Sequence, residues 1–377
     1  MINRYKVFYL FLLTVPFFNI LGHKFGNVIV QVFILSFISF TLLLFRQQRI
    51  RFGWFAPFGL IFVLFVCLLL SELHSAMNLG QSNIDSIRFF GLFIPVLLFY
   101  ILSYNPRVFV EKYWDKLLRF YILAFSFSII IDYYILHSAL DISLQPMYSN
   151  EASSYVTRPF GITGQPSVNS VLLVFFYALL LSRGSFVESK LFFMLMVIGV
   201  LLQGSGSGFI TLLILLNVMF MSFSWVIRIF VYSFASWLVF QVVQQFKLFS
   251  KVSVEYISII IDVFMWQIDD WIILLEKSEP IISVLLGGVP SGIDFGPLFF
   301  MSSVGLIYSI FFLILIVMSV AKAKERYEKS AFLILLVGNL HYPVMFYTIM
   351  VFVLPLLLQK NIFPVKDETN FLGVRNP

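Results

Sequence analysis

The chain has 377 residues, 60% hydrophobic and 12% charged, with a formal net charge of +6 and a mean hydropathy of +0.96. A water-soluble domain carries about 25% charged residues, so this composition argues against a soluble fold and for a chain solvated by lipid over most of its length. Strand alternation is absent, which argues against a membrane barrel, and the single cysteine, Cys67, excludes an intramolecular disulfide.

A spanning helix needs about 20 mainly apolar residues, and such runs recur from one end to the other. They predict an all-α, polytopic transmembrane bundle of about twelve spanning helices, at 5–22, 27–45, 54–73, 87–103, 117–137, 167–182, 191–203, 208–224, 229–245, 296–320, 331–341 and 343–358. The first run leads into many others and reads as an anchor rather than a cleaved signal. The 331–358 stretch reads either as one long helix or as two short ones hinged at His341-Tyr342-Pro343, because proline disfavours helix in the residue before it. Residues 1–360 form a single transmembrane domain on this reading, followed by a polar tail over 361–377.

Lysine and arginine sort the loops into two sets. One holds Arg4, Lys6, Arg46, Arg49, Arg51, Arg107, Lys112, Lys116, Arg119, Arg183, Lys190, Arg228, Lys322, Lys324, Arg326, Lys329, Lys360, Lys366 and Arg375; the other holds Lys24, Arg88, Arg158, Lys247, Lys251 and Lys277. That split, 19 against 6 of the 25 cations, places the first set and both termini in the cytoplasm. The positive-inside bias accounts for the net charge, and no nucleic-acid partner is implied.

Two outer loops are long, at about 138–166 and 246–295, and long loops in compact architectures usually carry function. Within the second, Ile257, Ile260, Ile261, Phe264, Ile268, Trp271, Ile272 and Leu275 follow helical spacing, while Glu255, Asp262, Asp269 and Glu276 recur every seven residues. This predicts an amphipathic helix over 255–277 lying on the outer leaflet. Asp269 and Asp270 near its middle argue against a further span, since each central charge costs about 2.5–3.5 kcal/mol.

Chemistry-bearing residues are few. Gln203-Gly204-Ser205-Gly206-Ser207-Gly208 looks like a phosphate loop but lacks the Lys-Ser/Thr that completes a Walker motif. It reads as close helix packing through small residues or as backbone N–H groups facing an anion at a helix start, with packing favoured. No HExxH, Cys/His cluster or acidic triplet suggests a metal, and no cofactor is expected. Arg158 stands in the segment Arg158-Pro159-Phe160-Gly161-Ile162-Thr163-Gly164-Gln165-Pro166, an outer cation beside residues that shape a backbone. Its guanidinium can grip phosphate oxygens in pairs, or it can reach to headgroups as an anchor. Arg88 is also outer and opens a helix. Lys251 and Glu255 are four apart and share a face if helical. His341 sits at a helix break and suits proton transfer or a structural hydrogen bond; His23, His74 and His137 read as interface residues at span ends.

Several stretches together resemble the bacterial O-antigen and capsular repeat-unit polymerases (Wzy type), within the superfamily shared with O-antigen ligases. They are Arg158-Pro159-Phe160-Gly161 leading to Pro166-Ser167-Val168-Asn169-Ser170, the segment Gly204 to Gly208, the long outer loop ending in Leu285-Leu286-Gly287-Gly288, Asp294-Phe295-Gly296-Pro297-Leu298 leading through Gly305, and His341-Tyr342-Pro343. The family's long loop often carries a second catalytic arginine, and here only Lys247, Lys251 and Lys277 are available. The resemblance implies glycosyl transfer at the outer face of the bacterial inner membrane between repeat units carried on undecaprenyl pyrophosphate, and with no metal-ligand motif in the sequence the reaction is expected to be metal-independent. It implies catalytic roles for Arg158, Lys251, Glu255 and His341, and substrate contacts for Arg88, Gln165, Asn169, Ser205, Ser207 and Asp294. The partners it implies are the lipid-linked glycans, membrane lipid, a chain-length regulator and a flippase. Competing readings are a lipid-linked oligosaccharide flippase or other transporter, an O-antigen ligase, and a membrane scaffold.

Overall fold

The structure is a computed structural model that describes residues 4–18, 55–79, 93–98, 100, 109–137, 159–184, 189–221, 224–245, 254–276, 280–288 and 295–362. Among the described residues the fold is all-α, with no strand. In chain order the helices are α1 Arg4–Thr14, α2 Phe55–Leu79, α3 Asp115–His137, α4 Pro166–Leu181, α5 Lys190–Gln203, α6 Gly206–Met219, α7 Trp225–Gln245, α8 Val254–Glu276, α9 Pro280–Leu286, α10 Gly296–Lys322, α11 Arg326–Asn339 and α12 Thr348–Ile362. The predicted run at 27–45 lies outside the described residues, and that at 87–103 is helical over 93–98.

The helix boundaries follow from capping chemistry. Pro166 and Pro297 stand in the first turns of α4 and α10, where a missing N–H costs nothing. Gly204 ends α5 in the left-handed conformation, φ 56°, and Ser205 caps α6 by accepting from the Gly208 N–H at 3.4 Å. These signals set the starts of α4, α6 and α10 and the end of α5 close to the bounds of the predicted runs. α5, α6 and α11 have 14 residues each, about 21 Å at 1.5 Å per residue, against about 30 Å for a bilayer core. Among the described residues two helical segments are long and apolar enough to cross a membrane, Lys112–Tyr134 and Gly296–Lys322, beside many shorter apolar helices.

α4 is the centre of the bundle. Every residue from Ser167 to Leu181 is buried, as expected of a helix apolar on all sides, and α3, α5, α6 and α11 pack around it. Close approach to α6 depends on Gly208, where a Cβ would come 2.4 Å from that of Ser170. A second group joins α2, α9, α10 and α12.

The helices alternate in direction, which sorts the side chains to two ends. At one end Arg119 near the start of α3 lies over the Phe192 ring near the start of α5. At that same end Lys360 near the end of α12 pairs with Glu328 near the start of α11 at 2.6 Å, and Asn361 donates to Ser319 near the end of α10 at 2.9 Å. The opposite end gathers the start of α4, the ends of α3 and α5, and the 159–165 loop. The Glu328–Lys360 pair also resolves the 331–358 stretch. It holds two antiparallel helices, α11 and α12, separated by a 3₁₀ turn at Val344–Phe346 after His341-Tyr342-Pro343.

α10 is broken at Gly305, whose φ of 83° and ψ of 164° suit only glycine. The end of α9 fills the break: a Cβ on Gly305 would come 2.3 Å from the Leu285 carbonyl oxygen. The Ser303 carbonyl accepts from both the Gly288 N–H and the Ser71 hydroxyl, each at 3.1 Å. The predicted amphipathic helix is present as α8. Leu275 on its apolar face is buried and Asp262, Asp269, Asp270 and Glu276 are exposed.

Candidate functional site

The segment from Pro159 to Gln165 is held by one buried side chain from each of three packed helices. It turns through Gly161 and Gly164, both at positive φ, and the Gly164 N–H donates to the Gly161 carbonyl across the turn at 3.4 Å. Asp132 on α3, 0% exposed, accepts from the backbone N–H groups of Phe160 and of Gly161, the latter at 3.1 Å. Asn169 on α4, also 0% exposed, accepts from the Thr163 N–H at 3.2 Å and donates to the Phe160 carbonyl. Gln203 at the end of α5, again 0% exposed, donates from Nε2 to the Pro159 carbonyl at 2.9 Å. Its Oε1 is buried and has no hydrogen-bond partner among the described residues.

Burying three polar side chains in an apolar bundle is costly unless each is hydrogen-bonded. The groups that answer them are backbone atoms of one short loop, so loop and side chains stand or fall together. Glycine is required at 161 for space as well as conformation: a Cβ there would come 2.8 Å from Asn169 Nδ2. The Thr163 hydroxyl closes the loop by donating to the Gln165 carbonyl at 3.1 Å, ahead of the first turn of α4.

Gln165 is the half-buried residue before α4, its backbone engaged by Thr163 and by the Asn169 N–H. Asn169 uses its amide on the loop. Ser205 and Ser207 are buried and form a hydroxyl chain with Ser167, at 3.0 Å for Ser205 to Ser167 and 3.0 Å for Ser205 to Ser207. That geometry matches the packing reading of the Gly/Ser segment, with Gly208 against Ser170. His341 is exposed, its ring edge-on to Tyr342 at 4.6 Å. Glu255 lies in α8 with its side chain outside the described residues, and Arg158, Arg88, Lys251 and Asp294 lie outside them altogether. The structure therefore brings Gln165, Asn169, Ser205 and Ser207 to the start of α4 and α6.

Sequence reasoning missed both Gln203, read only as the edge of a Gly/Ser turn, and Asp132. It also placed His74 at an interface. Instead His74 is buried in α2, with Nε2 2.9 Å from the Ser283 hydroxyl of α9. The available signal was Ser71, His74 and Ser75 at helical spacing, a polar stripe that binds α2 to α9 and to the break in α10.

Comparison with family models, with curated proteins and with solved structures finds no match to this chain.

Proposed function

We propose that this protein is a polytopic membrane glycosyltransferase that joins repeat units carried on undecaprenyl pyrophosphate, at the outer face of the bacterial inner membrane. The observation that supports it most is the anchored loop. Arg158 is bonded directly to Pro159, the first residue of a segment whose backbone is gripped by Asp132, Asn169 and Gln203. A cation that stabilises charge on a departing pyrophosphate is effective in proportion to how firmly it is fixed beforehand.

In the proposed reaction a hydroxyl of the acceptor repeat unit attacks the anomeric carbon of the donor and gives up its proton to a general base. The bond from that carbon to the pyrophosphate oxygen breaks, and the pyrophosphate leaves with the electron pair. Arg158 binds its oxygens, and Lys251 supplies the second cation in place of the family's second arginine.

Large apolar side chains face outward on α2, α7 and α10, among them Phe62 at 66% and Phe230 at 72% exposure. That surface suits a lipid surround and supports the polytopic reading. Among the described residues the end holding the loop is the one poor in lysine and arginine, which under the positive-inside rule is the outer end. Asp132, the interior charge that a transporter pathway would have used, is engaged by the loop backbone.

The test is the surface polysaccharide of a strain lacking the protein, run on a gel. Single repeat units in place of long chains support polymerisation. If no unit reaches the surface, the protein is the flippase; if long chains persist on the lipid carrier but not on the core, it is the ligase.

A further inference from the structure

We propose that Asp132, Asn169 and Gln203 are positioning residues, which set the rate of the reaction by holding the 159–165 loop in one shape; this rests on the polymerase reading above. The three come from α3, α4 and α5, helices that all pack on one another. The loop groups they bind are backbone N–H and carbonyl groups of Pro159, Phe160, Gly161 and Thr163. What they read is therefore the path of the chain. A loop with two glycines at positive φ has many conformations open to it when nothing holds it. The buried side chains select one, and they do so from both sides: Asp132 takes two N–H groups, Gln203 gives to a carbonyl, and Asn169 does both. Only packing of the loop against the bundle would be needed to cover apolar surface. A carboxylate and two amides, each 0% exposed, are a costlier way to do it and supply directional constraint that packing lacks.

The consequence is a transition-state effect. If the loop presents Arg158 to the leaving pyrophosphate, loosening the clamp removes an interaction that strengthens as charge develops, so kcat falls while KM changes little. The effect must also act through Arg158.

The experiment uses purified full-length protein in proteoliposomes, with lipid-linked repeat units extracted from the deletion strain. Asp132→Asn and Gln203→Met are each made in the wild-type and in the Arg158→Lys background, and kcat, KM and thermal melting are measured. The expected result is a loss of about one to two powers of ten in kcat in the wild-type background, and almost no further loss in the Arg158→Lys background. An equal fold-loss in both backgrounds, or an unchanged kcat, overturns the proposal. Where Asp132→Asn does not insert, Gln203→Met decides, since it removes a single hydrogen bond at the loop's edge. Wild-type protein that makes no polymer overturns the functional reading itself and is distinguished by that control.

Discussion

Gln203 Nε2 donates a hydrogen bond to the carbonyl oxygen of Pro159 at 2.9 Å, across 44 positions of sequence. It ties the end of α5 to the first residue of the loop that follows Arg158. Together with Asp132 and Asn169 it makes a flexible Pro/Gly segment part of the rigid bundle, and the functional account depends on that rigidity.

Arg158→Ala is expected to abolish polymerisation while the protein still folds and inserts. Arg158→Lys should rescue poorly, because an ammonium keeps the charge but loses the planar fork that holds two oxygens. Each lost charge-assisted contact is worth roughly 1.5–3 kcal/mol, or one to two powers of ten in rate. Chain length is read on a gel beside a blot for expression. Normal chains from well-expressed Arg158→Ala protein would remove Arg158 from the mechanism and leave Lys251 or Arg88 as the phosphate ligand.

Gly305→Ala should destabilise the junction of α9 with α10. Its φ is 83°, and the added Cβ would come 2.3 Å from the Leu285 carbonyl oxygen. Backbone strain of this kind costs about 1–3 kcal/mol, and the overlap adds to it. Melting of the purified protein in detergent should fall, and α9 should become more sensitive to protease. An unchanged melt would show that the break in α10 is not needed for docking α9.

Lys360→Met should be more damaging than the double variant Glu328→Gln/Lys360→Met. The Glu328 side chain is 2% exposed and the Lys360 side chain 29%, so removing the lysine alone leaves a buried carboxylate without its cation. Breaking a buried pair costs about 3–5 kcal/mol, whereas replacing both partners is often near neutral. Thermal melting of the two variants checks the order; equal melting would show that the Asn361 contacts at 2.8 Å to Glu328 suffice.

Much of the helix layout was legible because its signals are local. Pro166 and Gly204 mark helix ends by backbone chemistry that any reader of the sequence can apply, and the seven-residue recurrence of Asp262, Asp269 and Glu276 places α8 directly. The clamp was not legible. Asp132 meets Phe160 28 positions away and Gln203 meets Pro159 44 positions away, and in both cases the partner is a backbone atom, which every residue possesses and no pattern announces. His74 and Ser283, 209 positions apart, were hidden for the same reason of distance. The end of α6 was overestimated, because hydropathy runs on to Ser224 whereas the helix stops at Met219 and the backbone turns at Phe220.

The topology makes an independent prediction from the 19-to-6 division of cations. Reporter fusions after Lys190 and Lys329 should report cytoplasm, and a fusion near Glu276 should report the outer side. A cytoplasmic Glu276 would put α8 and α9 on the wrong face for outer-face chemistry, and the site assignment would fail with it.

The most direct measurement of the central claim is reconstitution. Purified protein in liposomes is supplied with lipid-linked repeat units and no other enzyme, and the products are resolved by size. The account predicts a ladder of chains growing by one repeat unit at a time, with release of undecaprenyl pyrophosphate and no requirement for added divalent metal. Well-folded protein that leaves the repeat units single, or that only moves them across the bilayer, would contradict it.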